Sequence, residues 1–417
     1  MRTLRRLFLP LGLFWAAAGC ASTPEHPAAV PTGKVLSGID VLEADGFQEL
    51  QGRKIGLITN HTGRDSKGRT TAEVLAGAPG VALVALFSPE HGFNGVVEDA
   101  KVSSTSVSLA GRDISVHSLY AGGIAGMRPK PEDLRGIDTL VFDIQDIGTR
   151  FYTYLATMGM AMEEAAKARI SFIVLDRPDP INGTTVEGPM LTDLELPQLS
   201  PTSYLPVPVR HGLTAGEMAL LHNEKAGVPH LRVVRMQGWK RGMWYDQTGL
   251  PWVATSPNMP DLGAATLYPG IGLFEASNLS VGRGTPHPFG WVGAPWLDSQ
   301  RAVRRLNDAL LDGVAFTTQD YTPTKSVYEG ELCHGILITI TDRDTLRPLA
   351  VFRHIDQVLY ELHRQEFQWR WEEVRKMTGS TEFQRIYEND HDLIKIMELF
   401  NRSAERFEKS RRSYLLY

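Results

Sequence analysis

Five short apolar runs, four of them followed by a cluster of charged and polar side chains, constrain this chain more than any other feature. They lie at 54–60 (KIGLITN), 82–87 (ALVALF), 114–119, 139–143 (TLVFD) and 172–176 (FIVLD). Runs at 207–209 and 231–236 would add two more. Several are apolar throughout instead of alternating, as strands covered on both faces must be. Helix-like stretches separate them. Residues 153–169 carry Ala, Met, Leu and paired Glu, and TAGE at 214–217 opens another helix with a capping-box pattern. Strand and helix alternating in this way predict an α/β fold with a doubly wound, mostly parallel, Rossmann-like sheet over residues 34–250.

The chain has 417 residues, too many for one small core, which fits two domains. From residue 251 it becomes rich in Gly, Pro and aromatics, with a long irregular stretch at 268–296, a strand at 335–341 and helices at 353–364 and 366–376. Residues 251–417 are therefore read as a second, smaller mixed α/β subdomain closing over a cleft.

The N-terminus reads as a targeting segment. Arg2, Arg5 and Arg6 precede an apolar run at 7–18 that is too short for a bilayer, which needs roughly 20 residues. Small residues then lead to Gly19-Cys20, so residues 1–19 resemble a bacterial lipoprotein signal with Cys20 as the lipidated mature N-terminus. Residues 20–33 are read as a flexible, Pro-rich tether. These features predict a lipid-anchored protein of the cell envelope, facing the periplasm and held by the outer membrane. Loss of the three arginines leaves 40 basic against 48 acidic residues, a net charge near −8, which argues against nucleic acid as a partner. Cys333 is then the one remaining cysteine, expected as a buried core thiol.

Polar residues gather just after the apolar runs: Asn60-His61, Ser88-Pro-Glu90-His91, Asp143-Ile-Gln-Asp146, Asp176-Arg177-Pro-Asp179 and Arg210-His211. In an open α/β sheet the carboxyl ends of parallel strands share one edge, and ligands bind in the crevice there. No nucleotide fingerprint accompanies this sheet: the turn after the first strand lacks G-x-G-x-x-G, and no G-x-x-x-x-G-K-[ST] occurs. A nucleotide cofactor is not expected. Ser88 lies in F-S-P-E, unlike a nucleophile elbow. His61, His91, Asp143, Asp146 and His211 could meet at the strand ends, yet no compact metal-ligand spacing appears, and no metal is assigned.

Carboxylate acid/base chemistry is left, the pattern of glycoside hydrolysis. Glu90, after a strand and the rigid Pro89, is the acid candidate, with Asp143 or Asp146 as base or orienting group. Arg150, Arg177, Arg210 and Arg283 could hold a carboxylate, and Tyr152, Tyr154, Phe289 and Trp291 could pack on a sugar ring. A cell-wall ester or amide hydrolase, metal-assisted or not, and a non-catalytic muropeptide-binding lipoprotein stay open as alternatives.

The same residues carry a family resemblance. GIDVL at 38–42, GLITNHTG at 56–63, SPEHGF at 88–93, DIQDIGTRFY at 143–152, DRPDPING at 176–183, VEGP at 186–189, RHGLT at 210–214, SPNMP at 256–260, FEASNLS at 274–280 and GRGT at 282–285 occur in order. Together they resemble the NamZ-type exo-β-N-acetylmuramidases, formerly a domain of unknown function. The resemblance implies release of terminal, non-reducing N-acetylmuramic acid from peptidoglycan fragments in cell-wall turnover and recycling. It implies muramyl saccharides as partners and a site in the cleft between the two parts of the chain. Carried over position by position, it adds substrate-binding roles for Asn60, His61, His91, Tyr152, Asp176, Asp179, Asn182, Glu275 and Asn278. It also leaves the substrate's 2-acetamido group as a possible nucleophile.

Overall fold

Twelve strands follow one another in the computed structural model, which describes residues 34–417 apart from 98–102, 121–122, 194, 197–198 and 390. They are β1 (Lys54–Thr59), β2 (Ala82–Ser88), β3 (Thr105–Leu109), β4 (Arg112–Ser118), β5 (Thr139–Asp143), β6 (Ser171–Leu175), β7 (Glu187–Met190), β8 (Pro208–Arg210), β9 (Leu231–Val234), β10 (Trp291–Ala294), β11 (Val314–Thr318) and β12 (His334–Ile340). Seven form one sheet in the order β3-β4-β2-β1-β5-β6-β9. All neighbours in it are parallel except the edge pair β3/β4. Strands β1, β5 and β6 are buried along almost their whole length because helices cover both faces, which explains their unbroken apolar runs. The chain winds outward from β1 in both directions, so β1 and β5 flank the switch point where a crevice opens.

Two strand expectations need correction. The run at 207–209 does not join the parallel sheet; as β8 it pairs antiparallel with β7, leaving β9 as the edge strand beside β6. The edge strand β3 (TSVSL) was unforeseen, since its mostly exposed polar residues carry no core signal. Past residue 250, a three-stranded antiparallel sheet in the order β10-β12-β11 lies with helices Leu262–Ile271, Ser299–Asp308 and Pro348–His363.

Residues Gly33–Tyr417 make one compact unit. The largest core runs through both halves of the chain, from Ile58 and Phe87 through Phe151 and Phe274 to Phe400 and Phe407. The C-terminus folds back onto the first half: Arg411 donates to the carbonyls of Gly183 and Gly212 at 2.9 and 2.6 Å, and the Tyr417 hydroxyl donates to Asp176 at 2.7 Å. Cys333 is a buried free thiol, held above its ordinary pKa, at about 11, by burial. The leader at 1–19, Cys20 and the tether lie outside the described residues. Among the described residues, no helix is long and apolar enough to cross a membrane.

Candidate active site

The turn after β1 is stitched to the loops after β5 and β6 by short polar side chains. Asn60 Oδ1 accepts from the Thr62 amide and hydroxyl at 2.9 and 2.6 Å, and Thr62 Oγ1 accepts from the Gln145 amide at 3.0 Å. Gln145 Nε2 donates to Pro178 O at 2.8 Å. A Cβ on Gly63 would lie 2.3 Å from Thr59 Oγ1 and 2.7 Å from Asp143 O, so only glycine lets this turn sit on the end of β5.

This stitching absorbs most of the expected site residues. Asp143 is fully buried and receives Arg177 through Nε at 2.5 Å and Nη2 at 2.9 Å, with the Thr71 hydroxyl as a third donor. Burial opposes the Arg177 charge, but Asp143 outweighs it and raises the guanidinium pKa. Asp146 takes the Gly148 amide at 2.7 Å, and Asp179 takes Ile181 N at 3.3 Å. Burial pushes these two carboxyls up to about 8 and about 7. Asp176 binds Thr214 Oγ1 and the Gly216 amide, each at 2.7 Å, at the start of helix Ala215–Ala226. Arg210 pairs with Glu187 at 3.0 Å and reaches Ile181 O. Asn182 folds onto Thr184 and Thr185, and Asn278 bonds Glu366 O and the Gln368 amide. Arg150 donates to Thr202 O at 3.2 Å and Met377 O at 2.7 Å, its pKa lowered by burial to about 9. None of these lines the main cavity, which corrects the expected grouping of Glu90 with Asp143 and Asp146. Asn60, Arg150, Asp176, Arg177, Asp179, Asn182, Arg210 and Asn278 are engaged within the protein and do not line the cavity either. For Asp143, Arg177 and Arg210 the physical reason is that a charged group at the end of a covered strand is neutralised by a neighbour before it can face a ligand.

The main cavity encloses about 920 Å³. Glu90, His91, Tyr152, Glu275, Arg283 and Phe289 are the expected residues that line it, and Tyr120, Thr153, Asn258, Lys325, Arg370 and Glu373 also lie on its wall. Glu90 follows β2 directly. His91 takes φ 68°, Gly92 φ 74°, and His91 Nδ1 meets Val97 O at 2.8 Å, so the loop curls back on itself. Thr153 is the N-cap of helix Tyr154–Ala168, yet its hydroxyl donates to Glu90 instead of capping the helix. The Tyr120 hydroxyl also bonds Glu90; burial, then the Glu90 charge, raises its pKa, so Tyr120 stays a donor. Half-buried Glu90 thus sits between two hydroxyls beside a helix N-terminus.

Across the cavity, Arg283 grips both oxygens of Glu275, with Nη2 to Oε2 at 3.0 Å, and its guanidinium lies 5.4 Å from the Phe289 ring centre. Burial works against the Arg283 charge, but Glu275 more than restores it and the pKa rises. Tyr152 presents its ring to the cavity and anchors its hydroxyl on Thr255 Oγ1 at 2.8 Å; Tyr154 lies beneath it, fully buried. Trp291 is absent from the wall and packs on His287 and Tyr321. His61 faces an adjoining hollow of about 550 Å³, bonds Ala254 O at 2.7 Å, and has its pKa lowered by burial. His211 is buried against Asp146 at 3.9 Å, and burial lowers its pKa to about 3. Among the described residues, no three His, Cys, Asp or Glu side chains are grouped as a metal ion would need.

The residues sequence reasoning missed come mainly from far along the chain. Arg150 and the Ser203 hydroxyl, which bonds Lys376 O, tie helix Trp371–Thr378 to the segment at 201–203. That contact brings Glu373 and Met377 to a cavity whose acid begins at residue 90. The motif SPNMP at 256–260 was a usable signal for Ser256 and Asn258; nothing local marks Tyr120, Lys325 or Arg370.

The chain is similar to known proteins along its length. Residues 55–263 match the family described as "Exo-beta-N-acetylmuramidase NamZ, N-terminal", and residues 266–417 match its C-terminal counterpart. The chain is 38% identical over 409 residues to the peptidoglycan beta-N-acetylmuramidase NamZ of Bacillus subtilis, covering 97% of this chain and 96% of the relative. A crystal structure of a DUF1343 family protein from Bacteroides fragilis superposes with a TM-score of 0.84 at 36% identity, over 93% of this chain and all of the other. A second such structure from that organism gives 0.72 at 28% identity, over 92% of this chain and 99% of the other.

Proposed function

The chain belongs to the NamZ family of exo-β-N-acetylmuramidases, and from that premise we propose that it is an exo-acting glycoside hydrolase releasing terminal, non-reducing N-acetylmuramic acid from peptidoglycan fragments. The observation that carries the chemistry is Glu90, held by the Thr153 and Tyr120 hydroxyls on the wall of a cavity large enough for a sugar residue. Glu90 protonates the glycosidic oxygen as the bond from C1 breaks. Among the described residues, the other wall carboxylates are engaged: Glu275 with Arg283, and Glu373 with Lys376 at 3.0 Å. In this reading the nucleophile is the oxygen of the substrate's own 2-acetamido group, which closes onto C1 as the leaving group departs. The ionised Glu90 then takes a proton from water, the water opens the ring at C1, and the sugar is released with its β configuration retained. Tyr152 and Phe289 supply apolar faces for the ring.

The test is hydrolysis of a defined muramic acid–glucosamine disaccharide followed by mass spectrometry and by NMR of the first anomer formed. Free N-acetylmuramic acid appearing first as the β anomer is expected. Glu90→Gln should lower kcat by roughly 10²–10⁴-fold, the range of general acid/base catalysis. An α anomer as first product removes the acetamido route, and undiminished turnover in Glu90→Gln removes Glu90 from the acid role. Placement in the envelope through a lipid on Cys20 is part of the same reading, supported by the leader at 1–19 and by a substrate located outside the inner membrane. Globomycin-sensitive processing of the full chain tests it.

A further inference from the structure

Muramic acid differs from glucosamine by a lactyl ether on C3 that ends in a carboxylate, so a selective cavity needs a cation for it. The arginines first suspected, Arg150, Arg177 and Arg210, are all buried away from the cavity. Among the described residues, three cationic side chains line it: Arg283, Lys325 and Arg370. Arg283 is neutralised by its two-pronged bond to Glu275. Arg370 stands differently. Its Nη1 donates to Ser277 O and its Nη2 to Glu275 O, and among the described residues it forms no ion pair with a carboxylate. Its backbone is pinned as well, the amide donating to Ala276 O at 2.8 Å beside a bridge between Ser277 and Trp369.

Carbonyl partners hold a guanidinium in place without cancelling its charge, and a guanidinium has five N–H donors. Two go to carbonyls, leaving three for a ligand. The wall carboxylates Glu275 and Glu373 are paired with Arg283 and Lys376, so the charge on Arg370 is not spent on them. Glu90, Glu275, Arg283 and Arg370 line one cavity, and Arg370 binds the carbonyl of the same Glu275 whose carboxylate Arg283 holds. A pyranose with C1 at Glu90 carries the lactyl ether on C3, two ring bonds away, and the same cavity wall holds Arg370.

We propose that Arg370 receives the lactyl carboxylate and is the residue by which the cavity selects an acidic sugar. This rests on the muramidase reading. The test compares the full chain with Arg370→Gln, Arg370→Lys and Lys325→Gln on a chromogenic β-N-acetylmuraminide and on the same compound with its lactyl group as a neutral amide. In Arg370→Gln, kcat/KM for the acid should fall about 10- to 100-fold, mostly through KM, the effect of losing a hydrogen bond to a charged group. The amide should change by less than about threefold, so the acid-to-amide ratio collapses toward unity. Arg370→Lys keeps the charge without the planar fork and should fall in between; if Arg370→Gln does not fold, an unaltered ratio in Arg370→Lys overturns the proposal. So does an unaltered ratio in Arg370→Gln, or a ratio lost in Lys325→Gln instead. Wild-type protein that turns over neither compound removes the muramidase reading itself, a separate and distinguishable failure.

Discussion

Replacing Arg177 by Met should unfold the protein more easily while leaving its chemistry nearly intact. The guanidinium meets both oxygens of Asp143, at 2.5 and 2.9 Å, and also donates to Arg64 O at 2.8 Å. Asp143 is fully buried, so Met at 177 leaves a carboxylate with one hydroxyl partner, Thr71, and no countercharge. Breaking a buried pair from one side typically costs about 3–5 kcal/mol. With an unfolding entropy of roughly 2.1 cal/mol/K per residue, a unit spanning Gly33–Tyr417 changes stability by roughly 0.8 kcal/mol per degree, so Tm should drop by about 4–6 °C. Adding Asp143→Asn removes the orphan charge and should recover part of that loss, a coupling that a double-mutant cycle measures. Calorimetry supplies Tm, and turnover of a muramide well below Tm supplies kcat, expected within about threefold of wild type. A hundredfold loss of kcat at unaltered Tm would refute the assignment of this pair to the scaffold and return Asp143 to the reaction.

Three further outcomes follow from the same geometry. Thr153→Val removes one hydroxyl from Glu90 and should lower kcat about tenfold with Tm nearly unmoved, since one hydrogen bond to a charged group is worth about 1.5 kcal/mol; an unaffected kcat would show that this contact does not orient the acid. Gly95→Ala puts a Cβ 1.9 Å from the His61 ring at a residue with φ 73°, so it should displace the loop that carries Glu90, lowering both Tm and kcat/KM; wild-type values for both would contradict the packing. Asp146 and Asp179 have folded pKa values of about 8 and about 7, raised by burial above the ordinary 3.8, so the stability of their neutral forms is complete below pH 3.8 and lost as pH rises through 7 and 8. His61, His211, His354 and His363 are shifted downward from 6.5 and act only below it, so between pH 6.5 and 8 the slope is set by Asp146 and Asp179 together with Asp356, which burial likewise raises to about 8. Thermal melts should lose on the order of 2–4 kcal/mol across that window, less in Asp146→Asn; a flat or rising profile would contradict this.

Much of the architecture was legible from residue order alone. Strands β1, β2, β4, β5, β6, β9 and β12 fall within a few residues of the apolar runs, because burial on both faces leaves a mark that depends on near neighbours. Glu90, Arg283 and Glu275 were also within reach, being polar residues at strand ends or in motifs that do line the cavity. What no linear pattern carried was the partner of each charge. Asp143 and Arg177 looked like members of a site and proved to be each other's counterion, 34 positions apart across adjacent strands. Arg370 looked like nothing and reaches the cavity because its guanidinium rests on the carbonyl of Glu275, 95 positions away. Periodicity is set by local geometry and the solvent face of each element, so sequence determines it. Whether a buried charge is neutralised or left free for a ligand depends on which distant segment packs beside it, and only the tertiary structure decides that.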